Sequence, residues 1–131
     1  MTAASGTRVS DFRDLIAWRK AMAFVTSVYR VTQSYPSAER FGLIAQLRRA
    51  AVAIPANIAE GRGRATAGEY LNQLSVARGS LNEVITLVAI SRNLTVAPAA
   101  ELDQLDHDAD ELGRILYGLR RGLEASRQRH Q

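Results

Sequence analysis

Apolar positions recur along this chain at alternating steps of three and four, the spacing that lays side chains along one face of a helix. Between residues 11 and 34 one stripe runs through Leu15, Trp18, Met22, Val25, Tyr29 and Thr32. A second runs beside it through Ala17, Ala21, Phe24, Val28 and Val31. At ~100° per residue the two stripes lie about a quarter-turn apart, so the apolar arc covers roughly half the helix. That is wider than one seam requires, and the surplus points to a neighbouring subunit.

Tyr35-Pro36-Ser37 ends this segment, because proline disfavours helix at the residue before it. Ser37 can cap the next helix, with Glu39 in its first turn. That helix runs to about Glu60, with Ile44, Leu47, Ala51, Ile54 and Ile58 on its seam. Pro55 has no N–H for the carbonyl of Ala51, which predicts a kink or local break there. Gly61-Arg62-Gly63-Arg64 then stops the helix, a glycine serving as left-handed cap. Thr66 and Glu69 have the capping-box spacing and open a third helix. Its seam is Tyr70, Leu74, Ala77, Leu81, Val84 or Ile85, and Val88. Gly79 inside it costs about 1 kcal/mol relative to alanine and predicts a close helix approach. The fourth helix follows Pro98 with Leu102, Leu105, Ala109, Leu112, Leu116, Leu119 and Leu123 facing in, and Gly118 and Gly122 one turn apart.

Short connections make successive helices antiparallel. The expected fold is therefore all-α, an up-down-up-down four-helix bundle over residues 11–126. A disordered segment at 1–10 precedes it, and a frayed basic tail at 127–131 follows. No run alternates with period two, so strands are not expected.

Composition narrows the class. The chain has 131 residues and no cysteine, which fits a single domain in a reducing cytosol and excludes disulfides and thiolate metal sites. Residues 1–10 lack the apolar block of a signal peptide. No run approaches the ~20 uninterrupted apolar residues of a membrane span. A cytoplasmic location without a membrane partner is expected.

The basic residues are sixteen arginines and one lysine, Lys20. Arginine suits bidentate phosphate contact, although a GC-rich genome produces the same composition. Residues 11–97 carry eleven basic against six acidic side chains, whereas 98–131 carry seven acidic against five basic. Any anion-attracting surface is therefore expected on the first three helices, with Arg19, Arg30, Arg62 and Arg64 as candidate nucleic-acid contacts. In the last helix, acidic residues come first and arginines later, an order that complements the helix dipole.

Catalytic constellations are absent from the pattern. His107 and His130 have no ligand-spaced partner. There is no phosphate loop, dinucleotide-binding glycine pattern or nucleophile elbow. No metal, cofactor or enzymatic activity is expected. The unusual feature is a polar set within an amphipathic run: Arg48, Arg49, Pro55, Asn57 and Glu60, with Glu83 on the third helix. It reads as a buried or interfacial ion-pair network that fixes helix register, or as an anion- or nucleotide-binding site. The structural reading leads, with Asn57 or an arginine serving the Ala51 carbonyl.

Longer motifs carry a family resemblance. Asp14-Leu15 through Trp18-Arg19-Lys20-Ala21 resembles the opening of the 23S rRNA intervening-sequence proteins. Gly42-Leu43 through Gln46-Leu47-Arg48-Arg49-Ala50-Ala51, then Ile54-Pro55 through Asn57-Ile58-Ala59-Glu60-Gly61, is similar to that family's central motif. Gly79-Ser80 with Glu83, and Leu112-Gly113 through Leu116-Tyr117 and Leu119, fit as well. The resemblance covers about residues 11–123. It implies an antiparallel four-helix bundle that assembles as a ring-shaped homopentamer, without enzymatic activity. Genes of this family were first noticed in insertions within bacterial large-subunit rRNA genes. A related protein is the accessory subunit of diversity-generating retroelements, a basic pentamer that partners a reverse transcriptase and nucleic acid. This chain departs in being only modestly basic, with an acidic fourth helix. The expected function is that of a non-catalytic oligomeric binding or scaffold protein with RNA or DNA as leading ligand. The alternative is a protein-binding assembly factor.

Overall fold

The computed structural model describes residues 11–129, which form four α-helices and, among the described residues, no strand. These are α1 (Ile16–Thr32), α2 (Ala45–Arg62), α3 (Ala67–Asn93) and α4 (Ala99–Arg129). The expected N-terminal segment at 1–10, His130 and Gln131 lie outside the described residues. A 3-10 turn, Phe12–Asp14, leads into α1, with the Asp11 carboxylate accepting from the Arg13 N–H. Helix α1 packs against α2 and α4, and α3 packs against α2 and α4. Arg92, near the end of α3, meets Asp103 and Asp106 near the start of α4. Arg120, late in α4, donates to Ser75 early in α3.

The two apolar stripes of α1 part company. Ala17, Ala21, Phe24, Val28 and Val31 are buried, whereas Met22 and Tyr29 remain 42% and 40% exposed. The buried stripe combines small residues that admit neighbouring helices with a wholly apolar ring. The outer stripe holds a tyrosine, whose polar tip favours a partly wet site. Thr32 joins the core because its hydroxyl donates to the Val28 carbonyl at 2.7 Å.

Helix α2 starts later than the pattern predicts. Ser37–Glu39 is a 3-10 turn without a side-chain cap, and Arg40–Ile44 is a π-turn broken at Gly42 (φ −106°, ψ −106°). Glu39, not Ser37, caps the turn by accepting from the Leu43 N–H at 3.3 Å. From Ala45 the α-helix continues through Pro55 to Arg62, so the break falls at Gly42 and not at the proline. Proline loses one ladder bond, but a buried Pro55 flanked by the core residues Ile54 and Ile58 is held in line by packing. Glycine, with no Cβ, takes the bend more cheaply.

The glycines also redistribute. No described glycine has a positive φ, so the left-handed cap expected at 61–64 does not form. Gly61 is buried inside α2, where a Cβ would stand 2.7 Å from Tyr70 Cδ1 and 3.0 Å from Gln73 Cβ. It is the close-approach glycine of the bundle. Gly79, expected in that role, would meet nothing within 4 Å, and neither would Gly118 or Gly122.

Helix α3 opens as expected, the Thr66 hydroxyl accepting from the Glu69 N–H at 3.1 Å. Tyr70, Leu74, Ala77, Leu81, Val84 and Val88 face the core, and Ile85 is the exposed member of the pair left open. By length and composition alone α3 is apolar enough to cross a membrane, although Arg78 and Glu83 interrupt its apolar residues. One side of it belongs to the core of the bundle, while Val76, Ile85 and Ile90 are exposed. Helix α4 is buried from Leu102 to Leu116. Leu119 and Leu123 are half-buried, and the helix continues to Arg129 through residues expected to fray.

The α3–α4 corner is a Schellman motif, with Thr95 N–H bonded to the Arg92 carbonyl and Val96 N–H to the Ser91 carbonyl. Thr95 takes the left-handed position at φ 51°, where a β-branched residue is strained and glycine is favoured. Thr95→Gly should therefore stabilise the fold by ~1 kcal/mol, raising the thermal midpoint by about 3–5 °C. An unchanged or lower midpoint would show that the strain is offset elsewhere.

Candidate nucleic-acid interface

The four arginines singled out in the sequence do not share one surface. Arg19 lies in the first turn of α1, its Nε donating to the Arg13 carbonyl at 2.9 Å. Arg30 lies in the last turn of α1, beside Glu101 and Gln104 from the start of α4. That carboxylate weakens the local positive field. Arg62 and Arg64 sit at the α2–α3 turn, where Glu60 pairs with Arg64 at 3.8 Å. The same end receives the last turns of α4, since the Arg127 guanidinium lies 3.4 Å from where a Gly68 side chain would begin. Taken as a whole, residues 98–131 are acidic, seven acidic against five basic side chains. In the fold, the arginine-rich second half of α4 joins the α2–α3 end.

The polar set on α2 and α3 is chiefly a surface, not a buried network, within one chain. Arg49 and Glu83 pair at 3.6 Å with side chains 69% and 45% exposed. Glu60 is exposed as well. Pairs this open contribute about 0–1 kcal/mol, well below the 3–5 kcal/mol expected of a buried pair. Arg48 and Asn57 are half-buried. Arg48 makes the contacts to α1. Its Nε donates to Thr32 Oγ1 at 3.0 Å, and its guanidinium stacks 4.5 Å from the centre of the Tyr29 ring. It therefore clamps α2 to α1. The Asn57 amide donates to the Ala53 carbonyl at 2.7 Å, so it does not serve the Ala51 carbonyl beside Pro55.

A groove of about 510 Å³ between α3 and α4 was not foreseen. Its floor includes Leu81, Ile85 and Gly113, and its rim carries Arg78, Arg114 and Arg120 with Tyr117. Asp110 also lines it and pairs with Arg114 at 3.4 Å. Arg121 donates to the Tyr117 hydroxyl at 2.9 Å, a bond that favours the charged guanidinium and raises its pKa. The available signal was the run Arg114, Tyr117, Arg120, Arg121, whose three- and four-residue steps share a helix face. Counting charge by whole segments concealed it.

His107 lies in a shallow hollow with Arg92, Asp106 and Asp110. Among the described residues, no cluster of three or more histidine or acidic side chains could hold a metal ion. Burial raises the pKa of the Tyr70 hydroxyl, opposed by the nearby Arg62 charge, and that hydroxyl has no hydrogen-bond partner among the described residues.

These features define an all-α, four-helix protein whose polar residues are arranged on open surfaces and grooves. The chain belongs to the 23S rRNA-intervening sequence protein family, whose model matches residues 13–118. Among solved structures it is similar to a protein of unknown function from the S23 ribosomal protein family of Bacteroides thetaiotaomicron. That match has 18% identity and a TM-score of 0.71, covering 79% of this chain and 97% of the other. The likeness extends to the fold alone. No curated protein matches the chain significantly.

Proposed function

We propose that the chain is a non-catalytic, cytoplasmic scaffold: an antiparallel up-down-up-down bundle that assembles into a homo-oligomer and binds RNA or DNA. The observation that carries the reading is a division of its surface. Met22, Tyr29 and Val52 leave an apolar side on α1 and α2, while arginines gather on α4 and the α2–α3 turn. Apolar surface left open on a small chain favours association. A closed ring also requires two different complementary patches per subunit, and Val76 and Ile90 on α3 supply further exposed apolar contacts. Five copies is the number that the family resemblance implies.

A protein-binding role is the second reading. Phe41 is 87% exposed in the π-turn before α2, and Leu94 is 54% exposed at the end of α3. Such side chains anchor protein partners more readily than phosphates.

Light scattering after size exclusion at micromolar concentration should give a mass near five times the 14.3 kDa chain. A monomeric mass would remove the assembly. Affinity for generic RNA should fall steeply between low and physiological salt, because phosphate neutralisation releases counterions. Absence of binding at low salt would leave the protein partner.

A further inference from the structure

We infer that the α3–α4 groove seats a short run of single-stranded nucleic acid, an assignment that rests on the nucleic-acid reading above and locates its site. Three arginines line the groove, Arg78, Arg114 and Arg120, with Asp110 as its lining carboxylate, and Arg120 is also tied to Ser75 and Glu124. Arg78 has no hydrogen-bond or ion-pair partner among the described residues. Arg114 is held only by an open pair with Asp110, side chains 68% and 80% exposed, which a phosphate can displace at little cost. The occupant is therefore an anion of more than one charge.

Tyr117 narrows its chemistry. The ring is 58% exposed, its hydroxyl is engaged by Arg121, and that guanidinium lies 5.7 Å from the ring centre, so a base stacks on the opposite face. An exposed aromatic ring beside guanidinium groups is a platform on which bases stack, and such platforms read any base because every base has a π-face. An acidic peptide would use the arginines and leave the ring idle. The apolar floor continues the argument. At Gly113 the missing Cβ, which would stand 3.7 Å from Leu81 Cδ2, leaves the floor open.

The form and extent of the strand follow. A duplex hides its base faces, so stacking on Tyr117 requires an unpaired strand. Ahead of the groove on α4, Asp103 and Asp106 outnumber the single Arg92 that pairs with both, so the local charge there is net negative. The strand is therefore confined to the stretch from Asp110 toward the C-terminal end of α4, where Arg120 and Arg121 continue the positive rim.

The test is fluorescence anisotropy of labelled oligouridylate and oligothymidylate at low salt, on the full chain. Tyr117→Ala should weaken binding about 5- to 150-fold, the range for losing one stacked base, while Tyr117→Phe keeps it. The triple variant R78Q/R114Q/R120Q should bind at least about tenfold more weakly, with a shallower salt dependence. Arg78, Arg114 and Tyr117 are exposed, whereas Arg120 is partly buried and tied to Ser75, so the double variant R78Q/R114Q is measured beside the triple one and unchanged circular dichroism checks the folding of each. If the wild type binds while both the triple variant and Tyr117→Ala bind equally well, the groove is not the site and the nucleic-acid reading survives. If the wild type fails to bind any oligonucleotide, both fall. If polyglutamate competes as well as the oligonucleotide and Tyr117→Ala has no effect, the occupant is an acidic protein segment and the assignment is overturned.

Discussion

Phe24→Ala should cost about 3–5 kcal/mol, whereas Met22→Ala should change stability by less than about 1 kcal/mol. The two side chains are two residues apart on α1 and both belong to apolar stripes. Phe24 is 2% exposed and belongs to the central core, so removing its ring leaves a cavity that α4 cannot fill. Met22 is already half in water. Thermal unfolding followed by circular dichroism should show a midpoint drop of more than about 10 °C for Phe24→Ala. An equal, concentration-dependent drop for Met22→Ala would mean that the outer stripe is covered by another copy of the chain.

Glycine substitutions should separate just as clearly. Gly61→Ala places a methyl group 2.7 Å from Tyr70 Cδ1 and 3.0 Å from Gln73 Cβ, both in the adjoining helix. Something must move, and overpacking of this kind costs about 1–3 kcal/mol. Gly79→Ala meets no atom within 4 Å and replaces the poorest ordinary helix former by the best. It should stabilise the helix by about 1 kcal/mol. Urea unfolding of the two variants checks the opposite signs. If Gly79→Ala also destabilises, and does so with loss of assembly mass, that glycine is reserved for a neighbouring subunit.

The four helices were legible because each carries a sustained three-four repeat, and burial follows that repeat along α3 and α4 almost residue by residue. Thr66 was legible as a cap for the same reason: the local chemistry and the fold agree. What escaped was whatever depends on the partner surface. Both stripes of α1 satisfy the same period, and only the position of α4 decides that Phe24 turns inward. Gly61 and Gly79 are both glycines in helical runs, and only the approach of Tyr70 distinguishes them. Pro55 looked like the weak point of α2 because its missing donor is visible in sequence, while the bend at Gly42 lies in a π-turn capped by Glu39, which no periodicity marks. The candidate contacts failed to converge for a related reason. Net charge was apportioned by segment, but α4 changes sign along its length, and its basic half faces a different part of the molecule from its acidic half.

That long last helix has one more consequence. None of the described side chains after Leu116 is buried, so thirteen residues, about 20 Å of helix, are fastened mainly by half-covered leucines and surface bonds. Such a stretch opens locally at far smaller free energy than the residues from Leu102 to Leu116, which open only with the whole domain. Amide exchange along α4 would therefore fall into two regimes, with the boundary at the turn that bears Tyr117. Anything that settles against Tyr117 and Arg120 must find this arm folded, and by settling there it holds the arm folded. Occupancy would then be recorded as slowed exchange beyond Leu116, in the one part of the bundle with freedom to lose.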